Sequence, residues 1–274
     1  MATTPGERTE RQPGWAVPVL DARPGSRAER FAGVLHGRHP AVVFLAALLT
    51  GFAILALVAI GLGLLVTDVL LRTGDIAATD ESTVRDIVAE RTPFLTDASY
   101  VGSFIGGAPL LPILVGLIAI VCAFLRKWRI AAFAVFVLVV ESATYRVASL
   151  AVPRERPEVQ RLDDLPADAS FPSGHTAASI AVYAGLVLLL TSRFRSRGVR
   201  VLAWTLAILL PAVVAVSRMY RGMHHPLDVA AGVVIGIGAL LVLLFACRAA
   251  GVAAAARSRQ PARAARAHRA QTVA

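Results

Sequence analysis

The chain has 274 residues, 56% of them hydrophobic and 17% charged, with a mean hydropathy of +0.65 and a net charge of +10. That balance excludes an ordinary soluble globular domain. The basic excess raises nucleic-acid binding as a function, and its placement beside apolar runs argues against it, since arginines there are the expected topological signal of a membrane protein and also attract anionic lipid.

Residues 1–40 are polar and rich in Pro, Gly and Arg, unlike a secretory signal, in which an apolar stretch follows a short basic region at once. They read as a flexible, basic cytoplasmic tail. Six apolar runs follow, at 41–66, 100–125, 130–150, 176–191, 199–216 and 227–247. Crossing a hydrocarbon core of about 30 Å takes about 20 helical residues, and most of the runs reach that length. Buried helices of a soluble protein would show amphipathic stripes, whereas these runs are apolar all round, as lipid-facing helices must be. The expected fold is therefore all-α: an integral membrane bundle of six transmembrane helices over 41–247, with a second flexible, Arg-rich cytoplasmic tail at 248–274.

The loops differ in charge by turns. Arg8, Arg11, Arg23, Arg27, Arg30 and Arg38 precede the first run, Arg126, Lys127 and Arg129 follow the second, and Arg193, Arg195, Arg197 and Arg200 follow the fourth. The positive-inside rule puts these segments and both termini in the cytoplasm. The opposite loops carry Asp75, Asp80, Glu81, Asp86, Glu90 and Asp97, then Glu155, Glu158, Asp163, Asp164 and Asp168. Within 71–99, Val84, Ile87 and Val88 recur at helical spacing and predict a short interfacial helix. The pairs Gly102/Gly106 and Gly232/Gly236 let helix backbones approach closely, either within the chain or across a dimer, so the oligomeric state stays open. The proline-rich segment 152–171 cannot continue a helix and carries Arg156 toward the next one. Cys122 and Cys247 have no metal-ligand spacing around them and read as packing residues.

Two polar clusters fall among these apolar runs, on the outer side. Pro172-Ser173-Gly174-His175 stands where a helix begins, and the unpaired amides and dipole of a helix N-terminus suit a phosphate. Gly174 allows close approach of the backbone, and Ser173 either caps the helix or donates its hydroxyl to a phosphoryl oxygen. The second cluster runs from Ser217 and Arg218 to His224 and Asp228. The spacing of the last two lets Asp228 reach back from the first turn of the sixth helix to accept the ring N–H of His224, leaving the other nitrogen free for attack. Charged groups at membrane depth are costly and mark functional sites.

With Arg156-Pro157, these blocks resemble the type 2 phosphatidic acid phosphatase family of membrane lipid phosphatases, which shares its phosphate site with vanadium-dependent haloperoxidases. The family pattern is Lys, six residues, Arg-Pro; then Pro-Ser-Gly-His; then Ser-Arg, five residues, His, three residues, Asp. The resemblance implies that His224 attacks phosphorus to give a phosphohistidine. His175 would protonate the leaving group and later activate water, and Asp228 would orient the nucleophile. Arg156, Arg218, Ser173 and the amide of Gly174 would hold the equatorial oxygens, without metal or cofactor.

One position departs from the pattern: Ser149 stands where the family has lysine. The chain has 27 arginines and one lysine, and Arg146 lies close to one turn before Ser149. Arg146 either replaces the missing cation, or pairs with Glu141 or snorkels to the interface. The function expected is hydrolysis of a lipid phosphate or diphosphate, with undecaprenyl diphosphate, phosphatidylglycerol phosphate and phosphatidic acid as candidates. The alternatives are transfer to a sugar or lipid acceptor, and noncatalytic lipid-phosphate binding.

Overall fold

Proline at the first helical position opens three of the helices, where its missing N–H has no acceptor to lose and its fixed φ is already helical. These are α2 (Pro40–Leu64), α4 (Pro93–Ile105) and α9 (Pro226–Thr272). The others are α1 (Arg27–Val34), α3 (Gly74–Ala89), α5 (Leu110–Phe124), α6 (Trp128–Ala151), α7 (Gly174–Thr191) and α8 (Arg197–Tyr220). The computed structural model describes residues 17–272 apart from 167, 168, 193 and 195, with side chains as far as residue 259. Among the described residues the only β pairing is an isolated parallel bridge between Arg154 and Ala169, so the fold is all-α, as expected.

Among the described residues, six spans are long and apolar enough to cross a membrane: α2 with its continuation to Arg72, α4 and α5 together, α6, α7, α8 and α9. Leu49, Leu57, Leu117 and Ile208 project from α2, α5 and α8 away from the bundle, as lipid-facing side chains do. The chain is a multi-pass membrane protein. In the bundle α9 packs on α2, α6 and α7, and α7 packs also on α8. Leu55 of α2, Phe133 of α6, Ala181 of α7 and Leu240 and Leu243 of α9 share its largest apolar core.

Small residues set the closest approach, and it falls where the site begins. A Cβ at Gly232 or Gly236 would stand 2.6 Å from the backbone oxygen of Ser173 or Ala177, so α9 meets the first turn of α7 backbone to backbone. Gly102 and Gly106 lie equally tight against Ser217 and Val214 of α8. Both pairs serve packing inside the chain.

Four segments differ from the sequence expectation. The apolar run 100–125 is two helices, because Gly106 and Gly107 loosen the backbone and Pro109 has no N–H to continue α4. The segment 71–99 is mostly helical, as α3 and the start of α4, with Val84 of α3 fully buried. The tails expected to be flexible carry helix. Val17, Leu20, Ala28 and Ala32 bury against the bundle, Phe31 packs edge-on against Phe245 at 5.4 Å, and Arg248 donates to the carbonyl of Val19 at 3.0 Å. Ser26 caps α1 by accepting from Glu29 N. A few apolar residues at the right spacing are enough to dock a short helix, and the Ala/Arg-rich sequence after Cys247 has the propensity to continue α9. Of the charged residues read as topological signals, Arg8, Arg11, Asp168, Arg193 and Arg195 lie outside the described residues.

Candidate active site

Four pieces of chain meet at the end of the bundle opposite the docked N-terminal segment: the start of α7, the turn joining α8 to α9, the non-helical segment after α6, and the turn joining α4 to α5. They enclose a cavity of about 260 Å³ whose wall includes His175, His224, Arg156, Arg218 and Gly174. Five of the residues expected at a phosphate site therefore line one space, although up to 68 residues (156 to 224) separate them in sequence.

His224 is buried, and its Nδ1 lies 2.7 Å from the backbone oxygen of Ser170. A carbonyl oxygen only accepts, so Nδ1 carries the proton and Nε2 keeps its lone pair. Burial pushes the imidazole well below the usual histidine pKa, and nearby Arg218 adds to the shift, against the opposing pull of Asp228.

The expected direct bond from His224 to Asp228 is not what holds the ring. The Asp228 carboxylate is 4.0 Å from Nδ1, because its oxygens are engaged elsewhere. Arg154 donates to Oδ1 at 2.5 Å, while the Ser170 hydroxyl at 2.6 Å and the His225 amide at 2.8 Å donate to Oδ2. Asp228 acts on His224 through Ser170, whose hydroxyl it fixes and whose carbonyl orients the ring. The spacing of His224 and Asp228 suggests direct contact across the start of α9; the intervening serine carries no signal of its own.

Arg218 is 2% exposed, and its Nη1 donates to Ser103 at 2.8 Å and to Asp163 at 2.6 Å. Its Nε and Nη2 are buried and have no hydrogen-bond partner among the described residues. Orphaned charged donors are expensive, about 1–3 kcal/mol or more each, unless a ligand completes them. Burial alone would raise the pKa of Asp163, but the bonds from Arg221 and the charge of Arg218 hold its carboxyl below the usual range.

Arg156 is held by three backbone carbonyls, donating to Pro166 at 2.8 Å, to Ala169 at 2.9 Å and to Met223. It therefore staples the segment after α6 to the α8–α9 turn while lining the cavity. The ring of His175 has no hydrogen-bond partner among the described residues, and a Cβ on Gly107 would stand 2.9 Å from its Nε2. The Gly106–Gly107 break in the α4–α5 span is thus what lets His175 lie where it does. Gly174 and His175, in the first turn of α7, line the same space, and amides at that place in a helix have no intrahelical acceptor.

Other expected residues stand apart. The Ser173 hydroxyl pairs with Thr176 Oγ1 at 2.9 Å, neither capping α7 nor lining the cavity. Arg146 is exposed and does not line the cavity, so it does not take the place of the missing lysine; nor does it pair with Glu141, which is buried. Ser149 turns its hydroxyl to the Arg146 carbonyl. Arg221, which follows the Ser217–Arg218 block, is likewise kept from the cavity by its bonds to Asp163 and to the Leu162 carbonyl. Sequence reasoning missed Arg154, Asp80, Ser170 and Asp163, and it gave His225 no role. Asp80 of α3 accepts from Arg154 and from the amide of Leu227, and the ring of His225 bridges Glu81 at 3.0 Å and Asp228 at 3.3 Å. In this way α3 is fastened over the carboxylate that orders the site.

A buried His224, a half-buried His175, Arg156, Arg218 with two orphaned donors, and the start of α7 thus come together at one cavity of a helical membrane protein. Residues 130–250 match the model of the PAP2 superfamily. The chain is 41% identical over 75 residues to an undecaprenyl-diphosphatase of Sulfolobus acidocaldarius, covering 27% of this chain and 32% of that protein. It is 36% identical over 92 residues to human sphingosine-1-phosphate phosphatase 2, covering 34% and 22%. The matches thus span about a third or less of these relatives' own lengths. Its fold resembles the crystal structure of a transmembrane PAP2-type phosphatidylglycerolphosphate phosphatase from Bacillus subtilis, with a TM-score of 0.57 at 24% identity over 75% of this chain and 93% of that one.

Proposed function

We propose that this protein is an integral membrane lipid phosphatase that hydrolyses a lipid phosphomonoester or diphosphate through a phosphohistidine. The observation that carries the reading is the pairing of a neutral, Nδ1-anchored His224 with the orphaned Nε and Nη2 of Arg218 on the wall of one cavity. Arg218, Arg156 and the first amides of α7 take the equatorial oxygens and stabilise the charge that spreads over them. Nε2 of His224 attacks phosphorus as the bond to the leaving oxygen breaks. His175 gives that oxygen a proton, then takes one from the water that cleaves the phosphohistidine. Asp228, through Ser170, keeps the proton of His224 on Nδ1.

The basic segments beside the bundle favour an orientation with both termini cytoplasmic and the cavity on the extracytoplasmic side. The named activities of the matched relatives, a polyprenyl diphosphatase and a sphingoid-phosphate phosphatase, support a lipid phosphate as substrate. The test is phosphate release by purified protein in detergent with excess chelator, from undecaprenyl diphosphate, phosphatidylglycerol phosphate and phosphatidic acid. Release by the wild type and none by His224→Ala is expected. Equal release by both, or release abolished by the chelator, would overturn the mechanism.

A further inference from the structure

Glu141 lies in the middle of α6, and the proposed chemistry does not use it. It is 1% exposed, its Oε2 accepts from the Ser142 hydroxyl at 3.1 Å, and its Oε1 is buried with no hydrogen-bond partner among the described residues. It also forms part of the wall of the cavity that holds His175, His224 and Arg218. A carboxyl group at membrane depth is costly, and an oxygen left unpaired is costlier still. A leucine in its place would continue the apolar wall of Leu111 and Leu138 without that cost.

Its depth is fixed by the helices. A Cβ on Gly174 would stand 3.0 Å from the ring of Tyr145, so Tyr145 marks the level at which α7 starts. Glu141 precedes Tyr145 by four residues, which on an α-helix is about 6 Å. It therefore sits one turn further into the bundle than the phosphate-binding end of α7, beside the apolar part of the cavity. Arg218, His224 and Glu141 line the same cavity, so the organic substituent of a phosphoryl group held by the first two has Glu141 on its wall.

We infer that Glu141 is a specificity-determining residue: its free carboxyl oxygen accepts a hydrogen bond from a hydroxyl or ammonium group carried close to the phosphate ester on the substrate's organic part. This rests on the phosphatase reading above and narrows it. The favoured substrates are phosphate esters of hydroxy- or amino-alcohol lipids. Diacylglycerol phosphates and polyprenyl phosphates offer esters or hydrocarbon at that place, with no donor for Oε1.

The test uses three substrates of one chain length: hexadecyl phosphate, 2-hydroxyhexadecyl phosphate and 2-aminohexadecyl phosphate. Purified wild type, Glu141→Gln and Glu141→Leu are assayed for phosphate release, and kcat/KM ratios are taken within each preparation, so that partial misfolding of a variant cancels. Wild type should prefer at least one donor-bearing ester by on the order of tenfold, the size of one hydrogen bond to a buried acceptor. In Glu141→Leu the ratio should fall to about one. Glu141→Gln should keep the preference for the hydroxyl ester and lose any additional preference for the amine. Equal kcat/KM for all three esters in wild type, or an unchanged ratio in Glu141→Leu, would overturn the role of Glu141 and leave the phosphatase reading standing. No release from any ester, nor from the lipid panel above, would overturn both.

Discussion

Arg154 donates to Asp228 at 2.5 Å, and both side chains are buried. The same guanidinium also donates to Asp80 of α3, so one cation compensates two buried carboxylates from distant parts of the chain. Taking Arg154 away would leave both uncompensated in a low-dielectric place, and breaking a buried pair from one side typically costs about 3–5 kcal/mol.

Arg154→Ala should therefore lower thermal stability in detergent sharply and abolish phosphate release. Asp80→Asn, which leaves Arg154 its bond to Asp228, should cost less in both. The check is thermal unfolding of the two variants beside wild type. An Arg154→Ala protein as stable as wild type would mean that the network does not hold the site.

The state of His224 gives a pH dependence whose sign follows from burial. Its pKa in the folded protein lies well below the ordinary value of about 6.5, so the folded state keeps Nε2 unprotonated after an exposed histidine would have charged. As pH falls below about 6.5 the unfolded chain binds a proton there and the folded chain does not. Stability thus falls with pH across the window down to the folded pKa. Activity should show no loss centred near pH 6.5 that is attributable to the nucleophile, while the midpoint of unfolding drops over the same range. Single-turnover phosphorylation of the protein, followed from pH 7.5 to 5.5, separates the nucleophile from the acid–base steps.

Gly107 meets His175 at the break between α4 and α5. A methyl group at Gly107 would stand 2.9 Å from Nε2 of His175, closer than a Cβ ordinarily comes, so the ring must turn or the α4–α5 turn must shift. Misplacing a proton donor by about 1 Å can cost on the order of a hundredfold in rate. Gly107→Ala should lower kcat by about ten- to a hundredfold with a smaller change in KM, measured under saturating lipid. A Gly107→Ala enzyme with the wild-type kcat would show that the turn yields without moving His175.

The sequence and the structure agree most closely where a polar side chain interrupts an apolar run. His175, Arg218, His224 and Asp228 stand out because water-loving groups have few reasons to lie between membrane helices, and the structure gathers the first three around one cavity with Asp228 behind it. Arg154 was indistinguishable from its neighbours, since its partners Asp80 and Asp228 each lie 74 residues away and only folding brings them together. Ser170 was invisible for another reason: the atom that orients His224 is its backbone oxygen, which every residue has. The split of the second span was written in Gly106, Gly107 and Pro109, but the hydropathy of 100–125 outweighed it. For the missing lysine the error was geometric. Arg146 is close to one turn from Ser149, yet that turn places it on the exposed side of α6.

Arg218 offers the most direct probe of the anion pocket, because its two orphaned donors belong to one planar fork. Vanadate, which adopts the geometry of a phosphoryl group in transfer, should inhibit competitively by occupying Nε and Nη2 of Arg218 together with the first amides of α7. Lysine at this position would keep a positive charge but present a single ammonium in place of the fork. Arg218→Lys should therefore weaken vanadate and lower kcat/KM by a similar factor, about ten- to a hundredfold, the value of one charge-assisted hydrogen bond and part of a second. Arg221→Lys serves as the comparison: Arg221 is bound to Asp163 and the Leu162 carbonyl rather than facing the pocket, so its loss should act on stability more than on vanadate. Inhibition constants for vanadate in wild type and both variants, set beside their unfolding midpoints, decide the matter. If Arg218→Lys binds vanadate as wild type does, the orphaned donors are not the anion site.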